Sequence, residues 1–229
     1  MLTIYGSDLS IFSNKVRFVA NALGLEYEYK KISLRDKENQ TEKFLRMNPC
    51  GKIPVIDDNG FVLFESDAII RYLCVKNHSP LYPEALEERA IVDQWMSLVS
   101  IHVADGMGRV LFNRVFAKMR GLPPDEKSVE FGLASLKRFL PIIDGQISRQ
   151  KFVGAPFLSL ADFDLLAVLD SAEVAEVELS AYKNIKKWRD ALRRESFYAR
   201  CYSEYGLSLK TGSASKGAMR HGGKDQTGR

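Results

Sequence analysis

The chain has 229 residues, 45% of them hydrophobic and 27% charged, the balance of an ordinary soluble globular protein. Its net charge of +4 arises in residues 206–229, where Lys210, Lys216, Arg220, Lys224 and Arg229 face only Asp225, so the body is neutral and offers no nucleic-acid surface. No apolar stretch approaches the roughly 20 residues that span a bilayer, no basic-then-apolar leader opens the chain, and Cys50, Cys74 and Cys201 lack metal or redox spacing, which points to a reducing, cytoplasmic setting.

Leu2, Ile4 and Tyr5 suit a first strand, and Gly6-Ser7-Asp8 a turn after it. Val16, Val19, Ala20 and Leu23 recur at helical spacing, with Gly24 placed for the stop. A strand over 27–32 and a short helix over 42–47 follow. Residues 53–56 and 61–64 pair as a hairpin around Asp58-Asn59-Gly60, where Asn-Gly is a strong hairpin signal, and 67–75 is helical. The order βαβαββα joins a parallel strand pair by a crossover helix and extends it by an antiparallel pair, the thioredoxin-like α/β arrangement.

His78-Ser79-Pro80-Leu81-Tyr82-Pro83 breaks the pattern and places a linker at 79–86, between an α/β domain over 1–78 and an all-helical domain over 87–205. Residues 206–229, rich in Gly, Ser and Lys, read as a basic disordered tail. In the helical half, Ile91, Trp95, Leu98 and Val99 line one face of a long helix. Asp105-Gly106-Met107-Gly108 is expected to kink or loosen it. Helical spacing returns over 110–119, and another helix spans about 125–150. Ser159-Leu160-Ala161-Asp162 is a capping box, stapled by Leu158 and Phe163, whose loss is expected to cost roughly 0.5–2 kcal/mol. Trp188 fits a later amphipathic helix that closes the domain.

The chemistry concentrates in Asn48-Pro49-Cys50-Gly51-Lys52-Ile53-Pro54-Val55-Ile56 and in Glu65-Ser66-Asp67. Pro54 heads an apolar strand, and Ile53-Pro54 is a candidate for the cis form. That form turns the Ile53 N–H and C=O outward, toward an extended peptide. Glu65 and Ser66 add a carboxylate, a hydroxyl and a helix N-terminus, a receptor for a small zwitterionic peptide. Alone, these segments also suit an ordinary turn, edge strand and helix start.

Together with Ser10 after the first strand, six residues before Val16, they resemble the glutathione transferase superfamily over roughly residues 1–203, nearest its serine-dependent theta-like and phi-like classes. The resemblance implies that Ser10 activates the glutathione thiol, that Lys52, Ile53 and Pro54 meet the peptide, and that Glu65 and Ser66 hold its γ-glutamyl end. Some phi-like members carry a His-Lys pair toward the glycyl carboxylate. The matching Asn39 and Gln40, which the resemblance also places among the glutathione-binding residues, are neutral here, which weakens contact with the glycyl end and leaves Lys37 or Lys52 to supply charge. Ser10-Ile11-Phe12-Ser13 has no thiol, which excludes glutaredoxin-like and cysteine-dependent chemistry.

Ser10 need not ionise. Lowering a thiol pKa from about 8.5 by about two units takes roughly 3 kcal/mol. A charge-assisted hydrogen bond contributes roughly 1.5–3 kcal/mol and the nearby helix start roughly 0.3–1 kcal/mol. Ser13 is assigned turn and cap duty instead. The thiolate then adds to a small hydrophobic electrophile. Dehalogenation, ether cleavage and peroxide reduction start from the same thiolate. Leu9, Phe12, His102, Met107, Arg109 and Phe112 are candidates to wall the electrophile between the domains, although Met and Phe at helical spacing are commonly core.

Glutathione enters as co-substrate, with no permanent cofactor and no metal, and the resemblance implies a homodimer. Two other classes keep the fold without the reaction: a protein-interaction module and a carrier of hydrophobic ligands. A module has no need of Ser10. A carrier would bind a hydrophobic dye without turning it over.

Overall fold

A computed structural model describes residues 1–201. The expected tail at 206–229 lies outside the described residues. The first half runs β1 (Leu2–Gly6), α1 (Ile11–Ala22), β2 (Tyr27–Lys31), a 3-10 turn (Glu38–Gln40), α2 (Glu42–Met47), β3 (Val55–Asp58), β4 (Phe61–Phe64) and α3 (Ser66–Lys76). The sheet order is β2-β1-β3-β4; β1 and β2 are parallel, and the other neighbours are antiparallel. Asn59 and Gly60 take positive φ of 54° and 93° at the hairpin, as an Asn-Gly turn requires. Ile4 and Ile56 sit opposite one another in the sheet and are fully buried, with Val16, Val19 and Ile69 of α1 and α3 beside them in the core.

Helix α1 starts five residues earlier than the apolar spacing indicates, because Ser10 caps it: its Oγ accepts the Ser13 N–H at 3.2 Å. Ser13 is wholly buried inside the helix, and its Oγ accepts the Ser7 N–H at 3.3 Å. The capping duty assigned to Ser13 therefore belongs to Ser10.

The second half is helical: α4 (Leu86–Leu98), α5 (Ala104–Leu111), α6 (Ala117–Met119), α7 (Glu126–Gln150), α8 (Leu160–Leu169), α9 (Lys183–Leu192) and α10 (Ser196–Ala199). Every residue of α8 is buried, making it the axis of this half. Among the described residues, no helix is long and apolar enough to cross a membrane.

The expected glycine interruption is corrected. Gly106 and Gly108 lie inside α5, and the long helix is instead widened by π turns at Val99–Val103 and Phe112–Phe116 on either side of it. Gly106 is there for contact. A Cβ on Gly132 of α7 would stand 2.6 Å from the Gly106 carbonyl oxygen and 3.1 Å from the Arg109 Cβ. Both obstacles are held in a helix and cannot swing aside. Gly132→Ala is therefore expected to push α5 from α7 and cost about 1–3 kcal/mol. In a chain of this size, melting should fall about 2–4 °C per kcal/mol; an unshifted melt would show that the helices part freely.

Candidate functional site

Three loops meet at one end of the sheet, and the strand register brings them there. Tyr5 is paired with Val55, and Val55 with Phe64. The exits of β1 and β4 and the entry of β3 are thus neighbours, and these carry Ser10, Glu65-Ser66 and Ile53-Pro54 respectively.

The Ile53-Pro54 bond is cis. Its loop is tied down by amides. The Asn48 side chain donates to the Lys52 carbonyl at 2.7 Å and accepts the Cys50 N–H at 3.0 Å. Asn39 and Gln40 donate to the Gly51 carbonyl at 2.6 and 3.3 Å. Those two side chains thus brace the loop that carries the cis bond. Gly51 has φ +58°, and a Cβ there would come within 2.4 Å of Gln40, so the brace needs glycine. Lys52 is exposed beside it.

Glu65 caps α3 with φ 69° and ψ 112°, a backbone state that costs a side-chain-bearing residue about 1–3 kcal/mol and collects at functional sites. Ser66, 7% exposed, is the first residue of α3, where unpaired N–H groups and the helix dipole suit a carboxylate. Ser10 is the N-cap of α1, one position before its first residue Ile11. Its Oγ spends a lone pair on the Ser13 N–H, and its hydroxyl proton can be donated to an anion.

Behind these helix starts lies a charged cluster. Lys15, 1% exposed, reaches Asp67 Oδ1 at 2.5 Å and Asp164 Oδ1 of α8 at 2.6 Å. The Ser100 hydroxyl lies 2.8 Å from Asp67 Oδ2 and 3.1 Å from Asp164 Oδ2. Burial disfavours the ammonium, but Asp164 and Asp67 outweigh it and hold the Lys15 pKa above the ordinary lysine value. Burial raises the Asp164 carboxyl, whereas Asp67 is held low by Lys15 against its own burial.

A cleft of about 480 Å³ opens between the two halves, walled by Phe12, Ser100, Asp105, Arg109, Phe112 and Asn113, among others. Phe12 and Phe112 are 41% and 40% exposed and form its apolar faces. Arg109 donates to Asp105 at 2.8 Å and lies over the Phe131 ring, so its charge is matched within the wall. Three candidates fall elsewhere. Met107 is wholly buried in the core. His102 stacks on Phe139 of α7, with centroids 4.2 Å apart, and does not line the cleft. Leu9 is half-buried in the Ser10 loop and is not part of the cleft wall either. Met107 and His102 follow the helical period, but the π turn at Val99–Val103 rotates the faces that the period assigns.

Sequence reasoning missed the brace formed by Asn48 with Asn39 and Gln40, and it missed Lys15 entirely. Asn48 carried a signal, since Asn beside Pro and Gly favours side-chain-to-backbone turns. Lys15 carried none, because its partners lie 52 and 149 residues away. Among the described residues no cluster of His, Cys, Asp or Glu could hold a metal ion. Cys50 is exposed, while burial pushes the Cys74 and Cys201 thiols up to about 12.

Comparison with known proteins fits this geometry. Residues 1–74 match the family described as glutathione S-transferase, N-terminal domain, and residues 103–195 its C-terminal domain. The chain is 32% identical over 201 residues to a probable glutathione S-transferase GSTF2 of Oryza sativa subsp. japonica, covering 85% of this chain and 93% of that one. It is 31% identical to glutathione S-transferase 1 of Zea mays, covering 83% and 91% respectively. Among solved structures, glutathione transferase F7 from Populus trichocarpa superposes with a TM-score of 0.81 at 25% identity, over 88% of this chain and 97% of that one. Glutathione S-transferase I from maize, in complex with an atrazine glutathione conjugate, gives 0.80 at 28% identity, over 87% and 95%.

Proposed function

The chain belongs to the glutathione S-transferase superfamily, and from that membership we propose that it is a serine-dependent member, of theta-like or phi-like type, whose catalytic residue is Ser10. It is an enzyme that conjugates glutathione, its co-substrate, to electrophiles and carries no permanent cofactor. The observation that carries the class assignment is the position of Ser10: at the start of α1, its hydroxyl accepts from the helix and still has a proton to give. Donated to the glutathione sulfur, that proton stabilises the thiolate. The thiolate attacks the electrophilic carbon, a C–S bond forms, and the leaving group departs with its electron pair. Addition across an activated double bond needs no leaving group.

In this reading the γ-glutamyl carboxylate sits on the Ser66 hydroxyl and the N-terminus of α3, and the Glu65 carboxylate faces the ammonium. The backbone of Ile53, ahead of Pro54, pairs with the cysteinyl unit. Lys52 supplies charge toward the glycyl carboxylate, since Asn39 and Gln40, which brace the Gly51 carbonyl, are neutral. The electrophile occupies the cleft against Phe12, Phe112 and Arg109. We place the protein in the cytoplasm as a homodimer. Phe61 and Val62 on β4, Val75 on α3 and Ile91 on α4 are exposed apolar side chains that a second copy would cover.

Titration calorimetry with glutathione tests the anchors. Ser66→Ala removes a hydrogen bond to a charged group, and its Kd should rise about tenfold or more, since such bonds contribute roughly 1.5–3 kcal/mol. Glu65→Ala should weaken binding in the same direction, while Ser10→Ala binds glutathione much as the parent does. Parent-like affinity for both Glu65→Ala and Ser66→Ala would remove the γ-glutamyl end from this place.

A further inference from the structure

We propose that the part-buried Lys15–Asp67 ion pair is a positioning device for the reaction: it fixes the distance between the thiol donor Ser10 and the peptide anchor Ser66. The inference rests on the serine-dependent reading above and adds residues that the reading itself does not use. Lys15 stands five residues beyond Ser10 on α1, and Asp67 directly follows Ser66 on α3. Their contact at 2.5 Å, with both helix starts at the same end of the sheet, is a crosspiece between the group that meets the central sulfur of the ligand and the group that holds its γ-glutamyl end. Asp164 of α8 and Ser100 of the π turn hold the same ammonium and carboxylate, so the crosspiece is anchored in the helical half.

The arrangement exceeds what stability asks. Two aspartates are more than Lys15 needs, since a single buried pair would satisfy it, although the Arg71 guanidinium also acts on Asp67. Asp164 alone, 2.6 Å away and fully buried, can serve as that partner. Asp67 is the more exposed carboxylate, and what it adds is the tie to α3. A donor that must lie about 3 Å from a sulfur loses much of its effect when misplaced by an ångström.

The test uses the full chain with Asp67→Ala and Asp67→Asn. Asp67→Ala keeps the neutral Lys15–Asp164 pair, so the protein retains its folded core, while Asp67→Asn keeps a weaker acceptor for Lys15. The readouts are the thiolate band of bound glutathione against pH, kcat/KM toward an aryl halide, and the melting temperature. A loosened crosspiece predicts a bound-thiol pKa raised by about one unit, thus about tenfold less thiolate and a matching fall in kcat/KM. Asp67→Asn should fall between parent and Asp67→Ala. A charge effect alone predicts the opposite sign, because removing a nearby carboxylate lowers the thiol pKa. A lowered pKa, or a lower melt with unchanged pKa and kcat/KM, overturns the proposal. Absence of a thiolate band in the parent is a different failure, and it removes the serine-dependent reading itself.

Discussion

Ser10→Ala is expected to erase the ultraviolet thiolate band of bound glutathione near neutral pH and to lower turnover about 10- to 100-fold, the equivalent of one charge-assisted hydrogen bond of roughly 1.5–3 kcal/mol. The structure adds a second consequence. Because the Ser10 Oγ also caps α1, the same substitution should reduce stability by about 0.5–2 kcal/mol. The two effects separate in Ser10→Asp. Aspartate caps a helix as well as serine does, so stability should return, but its carboxylate beside the sulfur opposes ionisation, so the band should stay absent. Difference spectra and thermal melts on the three proteins check both parts. A thiolate band retained in Ser10→Ala would move the activating group elsewhere in the loop.

Asp162→Ala should be the most damaging single change away from the site, at about 3–5 kcal/mol. The capping box is present as expected, with the Asp162 carboxylate accepting the Ser159 N–H at 3.0 Å. It also accepts the Ser159 hydroxyl at 3.1 Å, the Val153 N–H at 3.0 Å and the Trp188 indole N–H at 2.9 Å, all in a fully buried place. Alanine strands those donors, and each buried orphan costs about 1–3 kcal/mol. The roughly 0.5–2 kcal/mol expected from a helix cap alone is therefore an underestimate.

The gap between parent and Asp162→Ala should depend on pH. Burial pushes the Asp162 carboxyl up to about 6 from 3.8, so between these values the folded state holds a proton that the unfolded chain has released. The stability it contributes is complete below about pH 4 and declines as the pH rises through about 6, by about 3 kcal/mol in all. Denaturant melts at pH 4 and pH 7 should show the parent's advantage narrowing. A constant advantage would show that the four donors keep the carboxylate ionised throughout.

Residues 1–76 are largely legible in the chain because their signals are local. The Asn59-Gly60 turn, the alternation of helical and strand periods and the proline at the head of β3 each report on their own neighbours, and the observed order βαβαββα follows from them. The local geometry of the candidate site was legible for the same reason. Gly51-Lys52-Ile53-Pro54 and Glu65-Ser66 are contiguous, and a cis bond and a strained helix cap are properties of a few adjacent residues.

Composition and spacing by themselves determined the fold class and the change from an α/β half to a helical one, while the candidate site residues came from the resemblance of their motifs to a family. Tertiary structure decided where those residues point. Apolar period alone could not say that Met107 is core, that His102 stacks on Phe139, or that a π turn rotates the faces between them. Gly106 resembles a helix breaker by propensity, yet it is a contact surface because another glycine, 26 positions away, needs its carbonyl at close range. Lys15 looks like any surface lysine until two carboxylates from distant segments fold onto it. Local backbone preferences cost and return their free energy within a few residues, so sequence carries them. Packing, ion pairing and buried hydrogen bonds draw theirs from groups that only the folded chain brings together.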